Sequence, residues 1–396
     1  MRYLLFLILL SSASLQAQAL SLGDNVPATG FDLLAQRSTP FSTEDLRGQV
    51  ILLDFWATWC GSCIQAMPHL DSLQEAFPND LNVIALSEED RPRLAQFRQN
   101  TEHRFHFARD SGAFRSYFPY YTIPHAVLID PAGKVAAITQ PENITAEVIT
   151  ALLRGEPIDL PRKKDNLQFD PETDYFAPDS TVRETFELRP YHPELPSFIK
   201  TYVTNGPFSG RRIAAYNLTI PGLYREAYRI SHHRMELEIP DSLVTWEKPQ
   251  NRFCTNLIVD DPADLYPVFQ QQLSAHLPLK SRWEQRTKKV FVLQRITDAP
   301  FAGQPVPAPD TGYTGRGDGF STEGSTLGDF CDYLEGFGIF GGPVIDGTGL
   351  TGPFAFSLSF APEDPTTFKT ALEALGLTYA TEERSLDVLV LFQLTP

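Results

Sequence analysis

The sequence predicts a two-part molecule. An α/β domain with a mixed central sheet and flanking helices comes first, followed by an α+β domain with an internal two-fold repeat. Three observations carry this. Apolar runs alternate with helical periodicity up to about residue 155. A stretch rich in proline and charge, without any period, follows at 157–183. Beyond it, one order of strand and helix signals occurs twice. A chain of 396 residues also suits two cores better than one. The expected boundaries are 1–19 for a leader, 20–156 for the first domain, 157–183 for a linker and 184–396 for the second domain.

Residues 1–19 read as a secretory signal. Arg2 supplies the positive end, Tyr3–Leu10 an apolar core of 8 residues, and Ala17-Gln18-Ala19 small residues for cleavage. The core is short for a bilayer span, and an uncleaved anchor is the alternative. No later segment is apolar enough to cross a membrane, so the expectation is a soluble, exported protein in a compartment where disulfides persist. The net charge of −16 argues against nucleic acid, which needs clustered Lys and Arg.

In the first domain, "VILLDFW" (Val50–Trp56) is a continuous apolar run, as in a strand buried on both faces. Ile64, Met67, Leu70, Leu73 and Phe77 then recur at helical spacing, with Pro68 expected to kink the helix. "LNVIALS" (Leu81–Ser87) is a second buried strand, and Arg91–Asn100 a polar helix. "VLID", "PAG" and "KVAAI" form a hairpin over Val127–Ile138. Thr145 and Gly155 bracket a last helix as N-cap and C′ residue.

In the second domain, Asp260–Gln294 echoes Glu363–Gln393. Each runs Asp-Pro, helix, apolar stop, polar turn, strand. "RFCTNLIV" and "PFAFSLSF" read as strands before them, and "NLTIPGLYREAY" and "STLGDFCDYLEGF" as helices further upstream. The glycine-rich segment 308–325 reads as a flexible loop, its "RGD" as loop composition. "HHRME" (His232–Glu236) reads as a solvated turn in preference to a metal site.

The chemistry concentrates in Cys60-Gly61-Ser62-Cys63. A zinc site needs about four ligands, and no second pair stands at matching spacing. A two-residue bridge removes little unfolded-state entropy, so it is a poor staple. A redox pair fits the context. A buried strand leads in and a helix starts after Cys60, placing its sulfur where free N–H groups and the dipole favour thiolate. Cys60 then attacks a disulfide and Cys63, one turn on, resolves it. The two sulfurs carry both electrons, so no cofactor is needed, and no metal.

"DFWATWCGSC" resembles the active-site segment of the thioredoxin superfamily. With "LGDNVPATGFDLL", "LRGQVILLDFWATWC", "MPHL" and "TIPHAVLIDPAGKV", residues about 20–155 resemble the exported TlpA- and ResA-like thiol:disulfide oxidoreductases. The resemblance implies a thioredoxin fold and a periplasmic or otherwise exported setting. It implies disulfide-containing exported proteins as substrates and a membrane electron donor of thiol-relay type. By the same resemblance Pro124 is a cis-proline, and the backbone of Ile123 pairs with an extended substrate. Trp59 flanks the nucleophile, with plain packing as the alternative. Asp54 accepts the proton of Cys63, with an ordinary strand-end carboxylate as the alternative. Two positions depart from the pattern. Ala66 stands where relatives carry glutamate, and Gly61-Ser62 replaces the frequent Gly-Pro or Glu-Pro. Both bear on the thiol pKa and the redox potential, and reduction is the expectation that the resemblance implies.

Residues about 190–396 resemble an uncharacterised domain family of exported bacterial proteins, sometimes fused to TlpA-like domains. That resemblance implies no activity, and the residues suggest a binding or docking module. Cys254 and Cys331, one in each half, are candidates for a structural disulfide. The rival reading of the whole is a non-enzymatic envelope binding or sensing protein acting through this second domain. A peroxiredoxin-like enzyme is a further alternative, and it lacks the expected Pro-x-x-x-Thr/Ser-x-x-Cys pattern.

Overall fold

The structure, a computed structural model, describes residues 19–34, 41–163, 165–202, 206–245, 248–297, 299–307 and 312–393. The apolar core of the leader reading lies outside them. The chain forms two compact units whose main boundary falls between Lys163 and Lys164.

The first unit runs β1 (Asp32–Leu33), β2 (Val50–Phe55), α1 (Gly61–Ala76), β3 (Leu81–Ser87), α2 (Arg91–Asn100), β4 (His106–Arg109), α3 (Ala113–Tyr117), β5 (His125–Ile129), β6 (Val135–Thr139) and α4 (Ala146–Leu153). Its sheet has the order β1-β4-β3-β2-β5-β6. β2, β3 and β4 pair parallel, while β1, β5 and β6 join antiparallel. This is the mixed sheet that the apolar runs imply. Every residue of β2 is buried, as its unbroken apolar sequence requires. Ile51, Leu53 and Phe55 point to one face and pack with Ile84, Leu86, Phe114, Phe118, Val127 and Ile129. The helix ends follow their caps. Asp90 accepts from Arg93 N, Thr145 accepts from Val148 N, and Gly155 takes a φ of 70° after α4. Pro68 is accommodated inside α1.

The second unit runs β7 (Thr185–Pro190), β8 (Phe198–Thr201), β9 (Arg212–Thr219), α5 (Ile220–Tyr228), β10 (Met235–Glu238), β11 (Arg252–Ile258), α6 (Leu265–His276), β12 (Leu279–Arg295), β13 (Gln304–Pro305), β14 (Tyr313–Arg316), β15 (Gly319–Ser325), α7 (Leu327–Gly336), β16 (Val344–Asp346), β17 (Phe354–Ser359), α8 (Pro365–Ala374) and β18 (Leu377–Gln393). Its three sheets have the orders β7-β11-β9-β8, β13-β17-β15-β14 and β10-β18-β12-β16. The runs β9-α5-β10-β11-α6-β12 and β15-α7-β16-β17-α8-β18 share one order of elements.

Four expectations differ from what is observed. The polar turns foreseen after α6 and α8 are strand. β12 and β18 are both 17 residues long and pair antiparallel from Leu279↔Gln393 to Arg295↔Leu377. The loop around the "RGD" is a β-hairpin over its described residues, with Arg316 paired to Gly319. The stretch foreseen as linker is packed. Thr139 donates to Pro161 O, and Lys163 N to Ile138 O, in the first unit. In the second unit Phe169 and Phe176 are buried, and Asp174 pairs with the fully buried Arg212. Finally, Cys254 and Cys331 are free. Cys254 packs with Ala214 and Tyr216, whereas Cys331 packs with Phe330 and Leu334 in a different core, so they form no bridge. Burial holds both thiols above their ordinary pKa.

Candidate active site

The site is built at the end of the sheet where β2 terminates. After Phe55 the chain leaves the strand, with Trp56 N still bonded to Leu86 O, and passes through Trp59 and Cys60 into α1. Cys60 and Cys63 are disulfide-bonded. Cys60 directly precedes the first residue of a 16-residue helix, at the positive end of its dipole, which favours a thiolate there in the reduced protein. Cys63 is fully buried, and Cys60 keeps a small exposure of 6%. Trp59 is 40% exposed.

Strand register brings the proline segment to the same end. Phe55 pairs with His125, and the Ile123–Pro124 peptide bond immediately before His125 is cis. The segment Thr122-Ile123-Pro124 therefore enters the sheet beside the point where the cysteine loop leaves it.

Asp54 lies one residue deeper. Ala85, Asp54, Ala126 and Thr139 form a row across β3, β2, β5 and β6. Their side chains share the sheet face opposite Ile51, Leu53 and Phe55. Asp54 is fully buried, and neither carboxylate oxygen has a hydrogen-bond partner among the described residues. Loss of hydration raises its pKa from 3.8 to about 7, and the negative charge of Glu142 adds to the rise. A buried carboxyl without partners is costly unless it takes up a proton, and here it titrates near neutrality. On α1, Ala66 places no charge beside the cysteines. Glu142, exposed in the short 3-10 turn Pro141–Asn143, is the carboxylate felt by Asp54.

Two residues here escaped the reading of the sequence. His125 is buried against Phe55 and Tyr120, with ring centroids 5.3 and 5.1 Å away. Lys163, in the stretch read as linker, donates to Thr122 O at 2.6 Å. The sequence placed His125 directly after Pro124, but nothing in it linked Lys163 to a loop 41 residues away. Among the described residues no three His, Cys, Asp or Glu side chains stand together as metal ligands. His232 and His233 instead form a short 3-10 turn leading into β10. Among the described residues, no helix is long and apolar enough to cross a membrane.

Both parts of the chain are similar to known protein families. Residues 22–138 match the AhpC/TSA family, and residues 245–394 match a protein family of unknown function, DUF3738. The thioredoxin-like protein YneN of Bacillus subtilis is 27% identical over 115 residues, 28% of this chain and 68% of that protein. The thiol-disulfide oxidoreductase ResA of Bacillus cereus is 30% identical over 115 residues, 28% of this chain and 64% of ResA. A solved thiol:disulfide interchange protein of the thioredoxin family from Chlorobium tepidum is 18% identical. It covers 34% of this chain and 99% of its own, with a TM-score of 0.30. The first unit is a thioredoxin-like domain of thiol:disulfide oxidoreductase type, with Cys60-x-x-Cys63 as its motif. It is fused to a strand-rich domain of the DUF3738 type, for which no function is known.

Proposed function

We propose that this protein is an exported thiol:disulfide oxidoreductase that reduces disulfides of envelope proteins by dithiol–disulfide exchange. The observation that carries the reading is the Cys60–Cys63 bond at the start of α1, on the segment that follows β2, the strand carrying the buried Asp54. In the reduced protein the Cys60 thiolate attacks one sulfur of a substrate disulfide. A Cys60–substrate bond forms, the substrate S–S bond breaks, and one substrate thiolate leaves. Cys63 then loses its proton to Asp54 and attacks the Cys60 sulfur. The second substrate thiolate leaves and the Cys60–Cys63 bond closes. Two electrons have passed to the substrate, and a dithiol donor must return them. Trp59 offers an exposed aromatic surface beside the nucleophile. The backbone of Ile123, before cis-Pro124, pairs with an extended substrate segment.

We assign the second unit a binding or docking role, with Cys254 and Cys331 taking no part in exchange. A peroxidatic role would need a Pro-x-x-x-Thr/Ser-x-x-Cys setting, whereas Leu53 and Ala57 stand at those positions before Cys60. Capture of mixed disulfides tests the proposal. A Cys63→Ser variant should accumulate exported proteins bound through Cys60 and release them on reduction. A variant that captures nothing beyond the level of Cys60→Ser would contradict it.

A further inference from the structure

We infer that Lys163 is a positioning residue for substrate, holding the peptide unit that Ile123 offers to an extended chain. The inference rests on the proposed oxidoreductase activity. Residues 157–163 follow α4 and return along β6, the outer strand of the sheet. Two bonds fix them there, Thr139 Oγ1 to Pro161 O at 2.7 Å and Lys163 N to Ile138 O at 3.0 Å. The backbone of Lys163 is thereby anchored, and its side chain reaches across to the start of β5.

There the ammonium donates to Thr122 O at 2.6 Å and lies 3.5 Å from Nδ1 of His125. His125 is itself clamped between the rings of Phe55 and Tyr120, so the ammonium sits against a fixed wall. Thr122 C=O and Ile123 N–H belong to one planar peptide unit. Fixing the carbonyl fixes the direction of the Ile123 N–H, the donor available to an extended substrate. A bond from a charged donor is also stronger than a neutral one, which suits it to holding a loop that must not rotate. The grip acts on backbone pairing and leaves the sulfur chemistry of Cys60 and Cys63 untouched.

The test uses the full chain with dithiothreitol as electron source and two substrates. One is a synthetic peptide with a disulfide in an extended segment, and the other is hydroxyethyl disulfide, which has no backbone to pair. Lys163→Gln should raise KM for the peptide on the order of tenfold. It should leave kcat, the Cys60–Cys63 potential and the rate with hydroxyethyl disulfide unchanged. Lys163→Arg should restore most of the peptide KM. Equal KM values for wild type and Lys163→Gln, or an equal loss on both substrates, would overturn the inference. A wild-type protein that reduces neither substrate would instead overturn the oxidoreductase reading, and the inference with it.

Discussion

Asp54 is where chemistry and stability meet in this protein. Its folded pKa, about 7, lies above the ordinary 3.8, so the folded state holds the proton more tightly than the unfolded chain. The stability this gives is present below about pH 4 and is lost as pH rises through about 7. Asp54→Asn should therefore match wild type at low pH and gain in relative stability between those values. Above them it should level off roughly 4 kcal/mol more stable, since each pKa unit is worth about 1.4 kcal/mol. Denaturant titration across pH checks this, and a pH-independent difference would refute it. On the proposed mechanism the same variant loses the acceptor for the Cys63 proton. Its resolving step should be slow, and the rise in rate near pH 7 should disappear. The sequence marked Asp54 only by its place in a motif. Its isolation could not be read there, because the row Ala85–Asp54–Ala126–Thr139 exists only once the strands are in register.

Helices and strands were legible where local chemistry decides them. The Thr145 cap, the Gly155 stop and the unbroken apolar run of β2 each dictate an element by themselves. Two Asp-Pro steps also announced α6 and α8, where Asp261 and Asp364 accept from backbone N–H groups at the entry of each helix segment. What stayed hidden depends on distant partners. β4 and α3, with 4 and 5 residues, are too short to show a period. The centres of β12 and β18 are polar and partly exposed on both faces, so no alternation marks them as strand. They are held by pairing to each other and by charges such as Arg282 with Glu238 and Lys288 with Glu236. The capping box of α7 gives a test at this level. Thr326 and Asp329 exchange backbone bonds, so Thr326→Ala should cost about 1 kcal/mol in thermal or denaturant unfolding. No measurable change would show that tertiary packing alone sets this helix start.

Across the whole chain, the four cysteines divide into a reactive pair and two buried thiols. Thiol counting on the oxidised, denatured protein should find two free groups, and four after reduction. Zero free groups would mean that Cys254 and Cys331 are bonded after all. The second unit has its own buried charge, Glu335. It accepts from Arg234 Nε at 2.8 Å and Val344 N at 2.8 Å, linking α7 to the segments before β10 and at β16. Glu335→Ala should destabilise this unit by roughly 3 kcal/mol, because Arg234 and Val344 N lose their acceptor. Unfolding followed by a probe in this unit reads that loss, and a change within 0.5 kcal/mol would contradict it. The most direct test of the proposed activity is the rate at which the full chain reduces a disulfide-bonded protein with dithiothreitol as donor. Wild type should accelerate the reaction, and Cys60→Ser should leave it at the uncatalysed rate. Equal rates for the two would contradict the assignment of the Cys60–Cys63 pair as a working redox centre.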